Sequence, residues 1–252
     1  MSDAAQRAAA AGDAPGAAFR ERPTEWIVPD AFALGAVPLG LGALFGALGH
    51  AWLAALGLGL GAFVLAFFRN PERALPGDAD AVVAPADGRV IEAAPVELAD
   101  GRKAVRIAIF LSVFDVHVNR MPVAGRVVAI ERAGNAYLAA FNPDALTHNV
   151  RLDVVLAMAG GARVVVSQIT GLIARRIVCH AKVGDAIGRG QRYGLIRFGS
   201  RTDVVLPPEA VPCVARGDRV RGGATVIARL AGADGAGGAA RAPAPAQGGS
   251  TT

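Results

Sequence analysis

The stretch GDAIGRG (residues 184–190) recurs 33 residues later as GDRVRGG (217–223), and both copies fit the pattern GDx[IV]xxG. Glycine and Asp favour tight turns, and the β-branched residue that follows them favours a short strand. A repeated turn-and-strand unit of this kind suits a compact β-sandwich of the barrel-hybrid type. Neither copy contains lysine, so neither indicates a lysine-linked carrier group.

Short apolar runs of β type lie before and between the two copies, and they are separated by Gly, Pro and Asp. The stretch 137–148 lacks this pattern and is predicted to form a helix or a long loop. The fold class is therefore mostly β (α+β), with a β-sandwich of barrel-hybrid type over residues 71–230. The runs are AVVAPADGRVIEA (81–93), KAVRIAIFLSV (103–113), GRVVAIERA (125–133), LDVVLAM (152–158), ARVVVSQIT (162–170) and DVVLP (203–207).

An uncharged apolar segment precedes this domain. No Asp, Glu, Lys or Arg occurs in the 38 residues from Ala31 to Phe68, whereas one bilayer crossing by a helix needs roughly 20 residues. Residues 49–51 predict a turn between helices at 31–48 and 52–68. Residues 26–70 are thus expected to form a membrane-associated helical hairpin, and the alternative is a buried helical pair in a globular core.

Arginines flank the hairpin on both sides, at Arg20 and Arg22 before it and at Arg69 and Arg73 after it. Because positive charge favours the cytoplasmic side, both ends and the following domain are expected at the cytoplasmic face of the cell membrane. The Ala-rich residues 1–25 are predicted to be a flexible leader. Residues 231–252 form a low-complexity segment that is predicted to be a disordered tail.

Composition excludes several classes of protein. Hydrophobic residues make up 53% and charged residues 19%, so the chain as a whole is not disordered. The two cysteines, Cys179 and Cys213, do not form a metal-ligand spacing, and no metal is expected. Only Lys103 and Lys182 could carry pyridoxal phosphate, which is therefore not expected. The net charge of +5 includes no basic run interleaved with aromatics, so a membrane is expected rather than nucleic acid.

Ser200 is the first candidate for chemistry among only five serines. It follows Gly199 between two β segments, where glycine tolerates a bend that brings the hydroxyl towards the preceding carbonyl. By itself the Gly-Ser pair is more typical of an ordinary turn.

Histidine and acidic residues supply the other candidates. Asp115 lies two residues before His117, so in a strand both would face the same side and an acid/base pair is predicted. Asp87 in APADGRV (84–90) falls at a turn before a strand, where Asp-Gly also serves ordinary turn chemistry. His148 and His180 have weaker contexts, and His50 belongs to the predicted turn of the hairpin.

Five blocks, in this order after the hairpin, resemble the short (type A) form of phosphatidylserine decarboxylase, and the resemblance runs from about Trp26 to Leu230. The blocks are FFRNPER (67–73), VVAPADGRV (82–90), IAIFLSVFDVHVNRMPVAGRV (107–127), QITGLIARRIV (168–178) and GDAIGRGQRYGLIRFGSRTDVVLP (184–207).

The resemblance implies an enzyme that makes its own pyruvoyl group. In that family the serine matched by Ser200 attacks the carbonyl matched by Gly199, and β-elimination and loss of ammonia leave a pyruvoyl cap. Chains 1–199 and 200–252 would then form a heterodimer. The pyruvoyl carbonyl would form a Schiff base with the serine amine of phosphatidylserine, and carbon dioxide and phosphatidylethanolamine would be released.

The resemblance also implies roles for single residues. Asp87 matches an acidic residue that supports a histidine during self-cleavage, and His117 with Asp115 matches the histidine block. Arg120 stands where the longer enzymes have a second histidine, which leaves open the group that deprotonates Ser200. Arg120, Arg175 and Arg176 are either ligands of the lipid phosphate or carboxylate or ordinary surface arginines.

Three alternatives stay open at this point. A membrane-anchored adaptor with a barrel-hybrid domain would keep the bond between Gly199 and Ser200 intact. An inactive relative would do the same. An ether-lipid serine headgroup would undergo the same chemistry as phosphatidylserine.

Overall fold

The computed structural model describes residues 30–139, 142, 145–172, 176–197 and 200–230. The predicted leader (1–25) and tail (231–252) lie outside the described residues, as does Gly199. Three helices and fourteen strands occur in these described ranges, so the mostly β class is confirmed. The helices are α1 (Asp30–Ala47), α2 (Ala51–Phe67) and α3 (Ala145–His148); the strands are β1 (Ala81–Val83), β2 (Gly88–Glu97), β3 (Lys103–Leu111), β4 (Val118–Arg120), β5 (Gly125–Ala133), β6 (Arg151–Ala157), β7 (Arg163–Ile169), β8 (Arg176–Cys179), β9 (Ala186–Ile187), β10 (Arg192–Arg197), β11 (Ser200–Leu206), β12 (Val211–Pro212), β13 (Arg219–Val220) and β14 (Val226–Arg229).

Helices α1 and α2 form the predicted hairpin, within one residue of the predicted bounds. Gly42 and Gly57 let the two helices approach closely, because a Cβ on Gly57 would lie 2.6 Å from Gly42 Cα. Large apolar side chains on the outer surface are exposed, including Trp52 (71%) and Val37 (64%). The helices are therefore not a buried pair in a globular core. No helix in the described ranges is both long and apolar enough to span a membrane.

The strands form a curled eight-stranded sheet and two three-stranded sheets. The large sheet has the order β13-β2-β3-β11-β7-β6-β5-β9, and the small sheets have the orders β1-β14-β12 and β4-β10-β8. Alternate residues of the central strands face the core, which explains the apolar spacing in the sequence. In β7, for example, Val164 and Val166 are completely buried against Leu152, Val154 and Leu156 of β6.

The strand order divides the domain into two halves with the same pairing pattern. We call β4–β10 (residues 118–197) the continuous half, and β1–β3 with β11–β14 (81–111 and 200–229) the split half. Each strand of the split half corresponds to one strand of the continuous half: β1 to β4, β2 to β5, β3 to β6, β11 to β7, β12 to β8, β13 to β9 and β14 to β10. Bulges fall at equivalent places, between Val90 and Glu92 in β2 and between Val127 and Ala129 in β5.

The shared pairing gives each residue of one half a counterpart in the other. In the split half, Arg89 opposes Phe110 and Ser200 opposes Leu111. In the continuous half, Arg126 opposes Ala157 and Ala162 opposes Met158. Arg126 and Ala162 are therefore the counterparts of Arg89 and Ser200. The counterparts used below are Asp87 and Ala124, Ser200 and Ala162, Thr202 and Val164, Asp203 and Val165, Leu206 and Gln168, and Val82 and Asn119.

The repeat GDx[IV]xxG closes both edges of the large sheet. Asp185 and Asp218 each accept a hydrogen bond at 2.8 Å from the backbone N–H three residues earlier. The strands that follow, β9 and β13, pair with β5 and β2. Gly184 and Gly217 begin the units at φ +97° and +103°, a region that favours glycine. The predicted turn-and-strand repeat is confirmed.

Candidate active site

Ser200 is the first residue of β11, and its side chain is completely buried. It opposes Leu111 at the end of β3, and its side chain shares the core face of β11 with Val204. Within the described ranges, Ser200 Oγ has no hydrogen-bond partner. Native proteins pair nearly all buried hydroxyls, so the unpaired Ser200 hydroxyl is a candidate for a functional role.

His117 lies immediately before β4 and is 2% exposed. Its Nδ1–H donates a hydrogen bond to the carbonyl oxygen of Asp115 at 2.9 Å, which leaves Nε2 unprotonated in the neutral ring. Burial lowers the pKa of His117 from 6.5 to about 4, because the charged imidazolium loses its hydration. The ring is therefore neutral near pH 7 and able to accept a proton.

Backbone and ring contacts fix His117 beside β10, the strand that precedes Ser200 in the chain. The Ile196 N–H donates to the His117 carbonyl oxygen at 3.3 Å, and β10 ends one residue later, at Arg197. The ring of Phe67, the last residue of α2, lies 4.2 Å from the imidazole, centroid to centroid. The base of the hairpin thus forms one wall around His117.

The strand geometry from which the acid/base pair of Asp115 and His117 was predicted is wrong. Residues 112–117 form a turn rather than a strand. Asp115 Oδ2 instead accepts hydrogen bonds from the N–H and the Oγ–H of Ser112, at 2.8 and 2.7 Å. Asp115 orients His117 through its backbone carbonyl and stabilises the turn through its carboxylate.

Asp87 lies in the turn before β2 and makes two polar contacts. Its Oδ2 accepts from Arg73 at 2.8 Å, and its Oδ1 accepts from the Gly222 N–H at 2.7 Å. Strand β3 lies between β2, which follows Asp87, and β11, which begins with Ser200. The two strands are therefore two strand spacings apart, about 10 Å. Neither contact of Asp87 is with a histidine.

Arg120 holds the segment that follows the hairpin. Its guanidinium donates to the carbonyl oxygens of Pro71 (2.9 Å) and Gly190 (3.2 Å) and to the side-chain oxygen of Asn70 (3.2 Å). These contacts give Arg120 a structural role. Arg176 begins β8 and is exposed, and Arg175 lies outside the described residues.

The remaining histidines lie in other parts of the structure. His50 is in the turn of the hairpin, His148 ends α3, and His180 follows β8.

Comparison with known proteins decides the family. The sequence profile described as "Phosphatidylserine decarboxylase" matches residues 60–228. A protein of Symbiobacterium thermophilum named "Phosphatidylserine decarboxylase proenzyme" is 50% identical over 183 residues, covering 72% of this chain and 85% of its own length. The chain belongs to the phosphatidylserine decarboxylase family.

Further members of the phosphatidylserine decarboxylase family are similarly close. Proteins with the same name from Pelobacter propionicus and Granulibacter bethesdensis are 49% and 47% identical over 169 and 204 residues. These matches cover 67% and 79% of this chain and 77% and 82% of those proteins. The resemblance stated from the five sequence blocks is confirmed.

Several polar residues near the decarboxylase site were missed by the sequence analysis. Arg73 pairs with Asp87, and Ser112 binds Asp115. Asn119, Gln168 and Thr202 are completely buried although they carry polar side chains. The sequence did contain a signal for such residues, namely a polar residue at a position where the alternation of the strand predicts an apolar one. In ARVVVSQIT, for example, Gln168 lies on the same face as Val164 and Val166.

Proposed function

We propose that this chain cleaves itself between Gly199 and Ser200, converts Ser200 to a pyruvoyl group and then decarboxylates phosphatidylserine to phosphatidylethanolamine. The relatives are named as proenzymes, which supports processing. The observation that carries the proposal is the buried Ser200 hydroxyl without a hydrogen-bond partner, at the first residue of a central strand.

His117 is the proposed base for self-cleavage. It is neutral near pH 7 because burial lowers its pKa, and its Nδ1–H is engaged by the Asp115 carbonyl, so Nε2 is the atom that takes a proton. Removing the proton from Ser200 Oγ generates the nucleophile for the Gly199 carbonyl. Asp115 fixes the ring, and Asp87 holds the turn before β2 through Arg73 and Gly222.

The residues around position 200 suit a pyruvoyl group derived from Ser200. A pyruvoyl group supplies an electron-withdrawing carbonyl that accepts the electron pair released when carbon dioxide leaves. It would lie at the start of β11, between β3 and β7. These pairings would keep the small chain (200–252) bound to the large chain (1–199).

The hairpin is proposed to bind the membrane that contains the lipid substrate. Its outer surface exposes Val37, Leu48, Trp52 and Leu56, each by more than 60%. Exposed apolar surface of this extent favours insertion into the apolar part of a bilayer. With arginines on both flanks, the domain would lie at the cytoplasmic face of the cell membrane.

Intact-mass measurement of the purified protein under denaturing conditions tests the proposal. Two chains are expected, and the small chain should begin with a pyruvoyl group at position 200. The same preparation should release carbon dioxide from phosphatidylserine in mixed vesicles. A single unmodified chain without activity would contradict the proposal and favour the adaptor or the inactive relative.

A further inference from the structure

Four buried polar side chains form a connected patch that begins at Ser200. Ser200, Thr202, Gln168 and Asn119 are each 0% exposed. Within the described ranges each carries a polar atom without a hydrogen-bond partner, namely Ser200 Oγ, Thr202 Oγ1, Gln168 Oε1 and Asn119 Nδ2. We call these four residues the polar quartet.

The pairing of the strands places the polar quartet on one surface. Ser200 and Thr202 lie two residues apart on β11 and share its core face. Thr202 directly opposes Gln168 of β7, which places their Cβ atoms about 5 Å apart. Gln168 Nε2 donates a hydrogen bond to Asn119 Oδ1 at 2.6 Å. The quartet therefore connects the Ser200 hydroxyl to the β4 strand that begins after His117.

The counterparts show that the fold does not require polar groups here. Val164 occupies the place of Thr202, Leu206 that of Gln168, and Val82 that of Asn119. All three counterparts are buried apolar residues, exposed by 0%, 1% and 0%. At the counterpart positions, where Ala162 takes the place of Ser200, apolar side chains fill the core.

Leaving four polar atoms unpaired in a core is unfavourable, because each buried donor or acceptor without a partner destabilises the fold. The four atoms complement one another: Asn119 Nδ2 donates, Gln168 Oε1 accepts, and the two hydroxyls do both. A water molecule has two donors and two acceptor sites and binds in buried sites that offer two to four polar partners. The polar quartet matches that requirement.

We propose that three members of the polar quartet, Thr202, Gln168 and Asn119, bind the water molecule that replaces the nitrogen of residue 200 during formation of the pyruvoyl group. The inference rests on the proposed self-cleavage. Once the Cβ–Oγ bond of residue 200 has broken, residue 200 is an enamine, and protonation at Cβ converts it to an imine. The water oxygen bonds to Cα, its protons pass to the nitrogen, and the C–N electron pair leaves with ammonia. One water is consumed, one ammonia is released, and no oxidant or reductant is needed.

In this scheme Thr202, Gln168 and Asn119 act after the chain has been cut. Ser200 Oγ departs with the new carboxylate of Gly199, whereas the polar side chains of Thr202, Gln168 and Asn119 remain in place. Removing one of them should leave cleavage intact and slow the hydrolysis of the imine.

The test uses the full chain made by cell-free synthesis and quenched at intervals in denaturant with sodium borohydride. Borohydride reduces the imine to an amino-terminal alanine and the finished pyruvoyl group to a lactyl cap, and both the mass and Edman sequencing of the small chain distinguish them. For Thr202→Val and Gln168→Leu we expect unchanged cleavage and imine hydrolysis slowed about tenfold, the effect of one lost hydrogen bond.

Matched variants make the result specific. Val164→Thr places a hydroxyl at the counterpart of Thr202 and should change neither rate, and Thr202→Ser keeps the hydroxyl and should restore hydrolysis. If one variant fails to give a folded two-chain protein, Asn119→Val provides the same comparison.

Two outcomes would overturn the inference. One is formation of the lactyl-terminated chain at the wild-type rate in the folded quartet variants. The other is loss of cleavage itself in those variants, which would assign the quartet to the earlier attack by Ser200. A wild-type chain that stays whole would instead overturn the proposed function, so the two failures are distinguishable.

Discussion

The continuous half and the split half have the same strand pairing and equivalent bulges, yet they differ at the end where Ser200 lies. In the continuous half a tight turn joins β6 to β7, so Ala162 follows Met158 closely in the chain. In the split half β3 and β11 are neighbours in space, but the whole continuous half lies between them in sequence. The chain passes between the halves twice, after β3 and after β10, and the bond before Ser200 lies at the second of these junctions.

The comparison separates what the fold needs from what the chemistry needs. Asp87 and Ser200 have the counterparts Ala124 and Ala162, which carry no polar side-chain group. The equivalent pairing forms with alanine at both places. The hydroxyl of Ser200 is therefore explained by the proposed reaction, and the carboxylate of Asp87 by its contacts with Arg73 and Gly222.

The largest effect is expected from Ser200→Ala, which gives position 200 the side chain of its counterpart Ala162. The variant lacks the nucleophile and the precursor of the pyruvoyl group, so we expect one folded chain and no decarboxylation above the uncatalysed rate. Denaturing gel electrophoresis and release of carbon dioxide from phosphatidylserine vesicles measure both. Recovery of two chains from this variant would contradict the assignment.

The next largest effect concerns a buried ion pair that β7 lacks. Arg201 Nε and Nη2 donate to Asp203 at 2.6 and 2.8 Å, and both residues are at most 4% exposed, whereas the counterpart of Asp203 is Val165. Asp203→Asn leaves the buried Arg201 with only the more distant Glu92 carboxylate, at 3.6 Å, so it should lower the free energy of unfolding by about 3 kcal/mol, the lower end for a broken buried pair. Urea unfolding in the Ser200→Ala background measures this on a single chain.

The control for this variant is Asp100→Asn, which breaks the exposed pair between Asp100 and Arg102, with side chains 52% and 69% exposed. Exposed pairs contribute about 0–1 kcal/mol. Equal losses in the two variants would show that the Arg201–Asp203 pair does not stabilise the split half.

A pH-dependent effect is expected from His117. Its pKa is lowered from 6.5 to about 4 in the folded chain, so the unfolded chain binds the proton more tightly. The stability from keeping His117 neutral is present above pH 6.5 and is lost as the pH falls towards 4, by about 3 kcal/mol in total. Urea unfolding of Ser200→Ala across this range should show the loss, and adding His117→Gln should remove it.

The pKa of His117 should also determine how the rate of self-cleavage depends on pH. If His117 is the base, self-cleavage of the wild-type chain should be independent of pH above about 5 and should fall as the pH drops through about 4. Replacing His117 with Gln should abolish or strongly slow cleavage. Cleavage of His117→Gln at the wild-type rate would remove His117 from the site.

The smallest effect is expected from Asp87→Ala, which copies Ala124 into the split half. The variant leaves the buried Gly222 N–H without an acceptor and removes the ion pair with Arg73. We expect a loss of about 1–2 kcal/mol in unfolding free energy. Asp87→Asn keeps the acceptor for Gly222 and should lose less; an equal loss would mean that the ion pair alone accounts for the effect.

Local sequence patterns predicted most of the fold. The bounds of both hairpin helices were predicted within one residue, because a long uncharged run interrupted by Gly49 is compatible with few other structures. The central strands were predicted because their core faces alternate with period two. The shared pairing of the two halves was visible only as the short repeat at 184–190 and 217–223, since strand neighbours far apart in sequence leave little local signal.

The candidate site was only partly predictable for the same reason. Ser200 and His117 were identified from their blocks, but the strand expected for Asp115 and His117 was wrong because VFDVHV has β-type composition and yet forms a turn through Ser112. The polar quartet depends on β11 lying beside β7 and on Asn119 reaching Gln168. No spacing within one strand reveals that arrangement.

Strand β11 is hydrogen-bonded along both edges, to β3 over Ser200–Leu206 and to β7 over Arg201–Val205. After cleavage, a small chain that begins with this strand can leave only if both ladders break together. Its residence time is then set by the unfolding rate of the whole sheet and not by an ordinary dissociation constant. A mature enzyme of this design should not exchange its small chain with an isotopically labelled pool until the sheet unfolds.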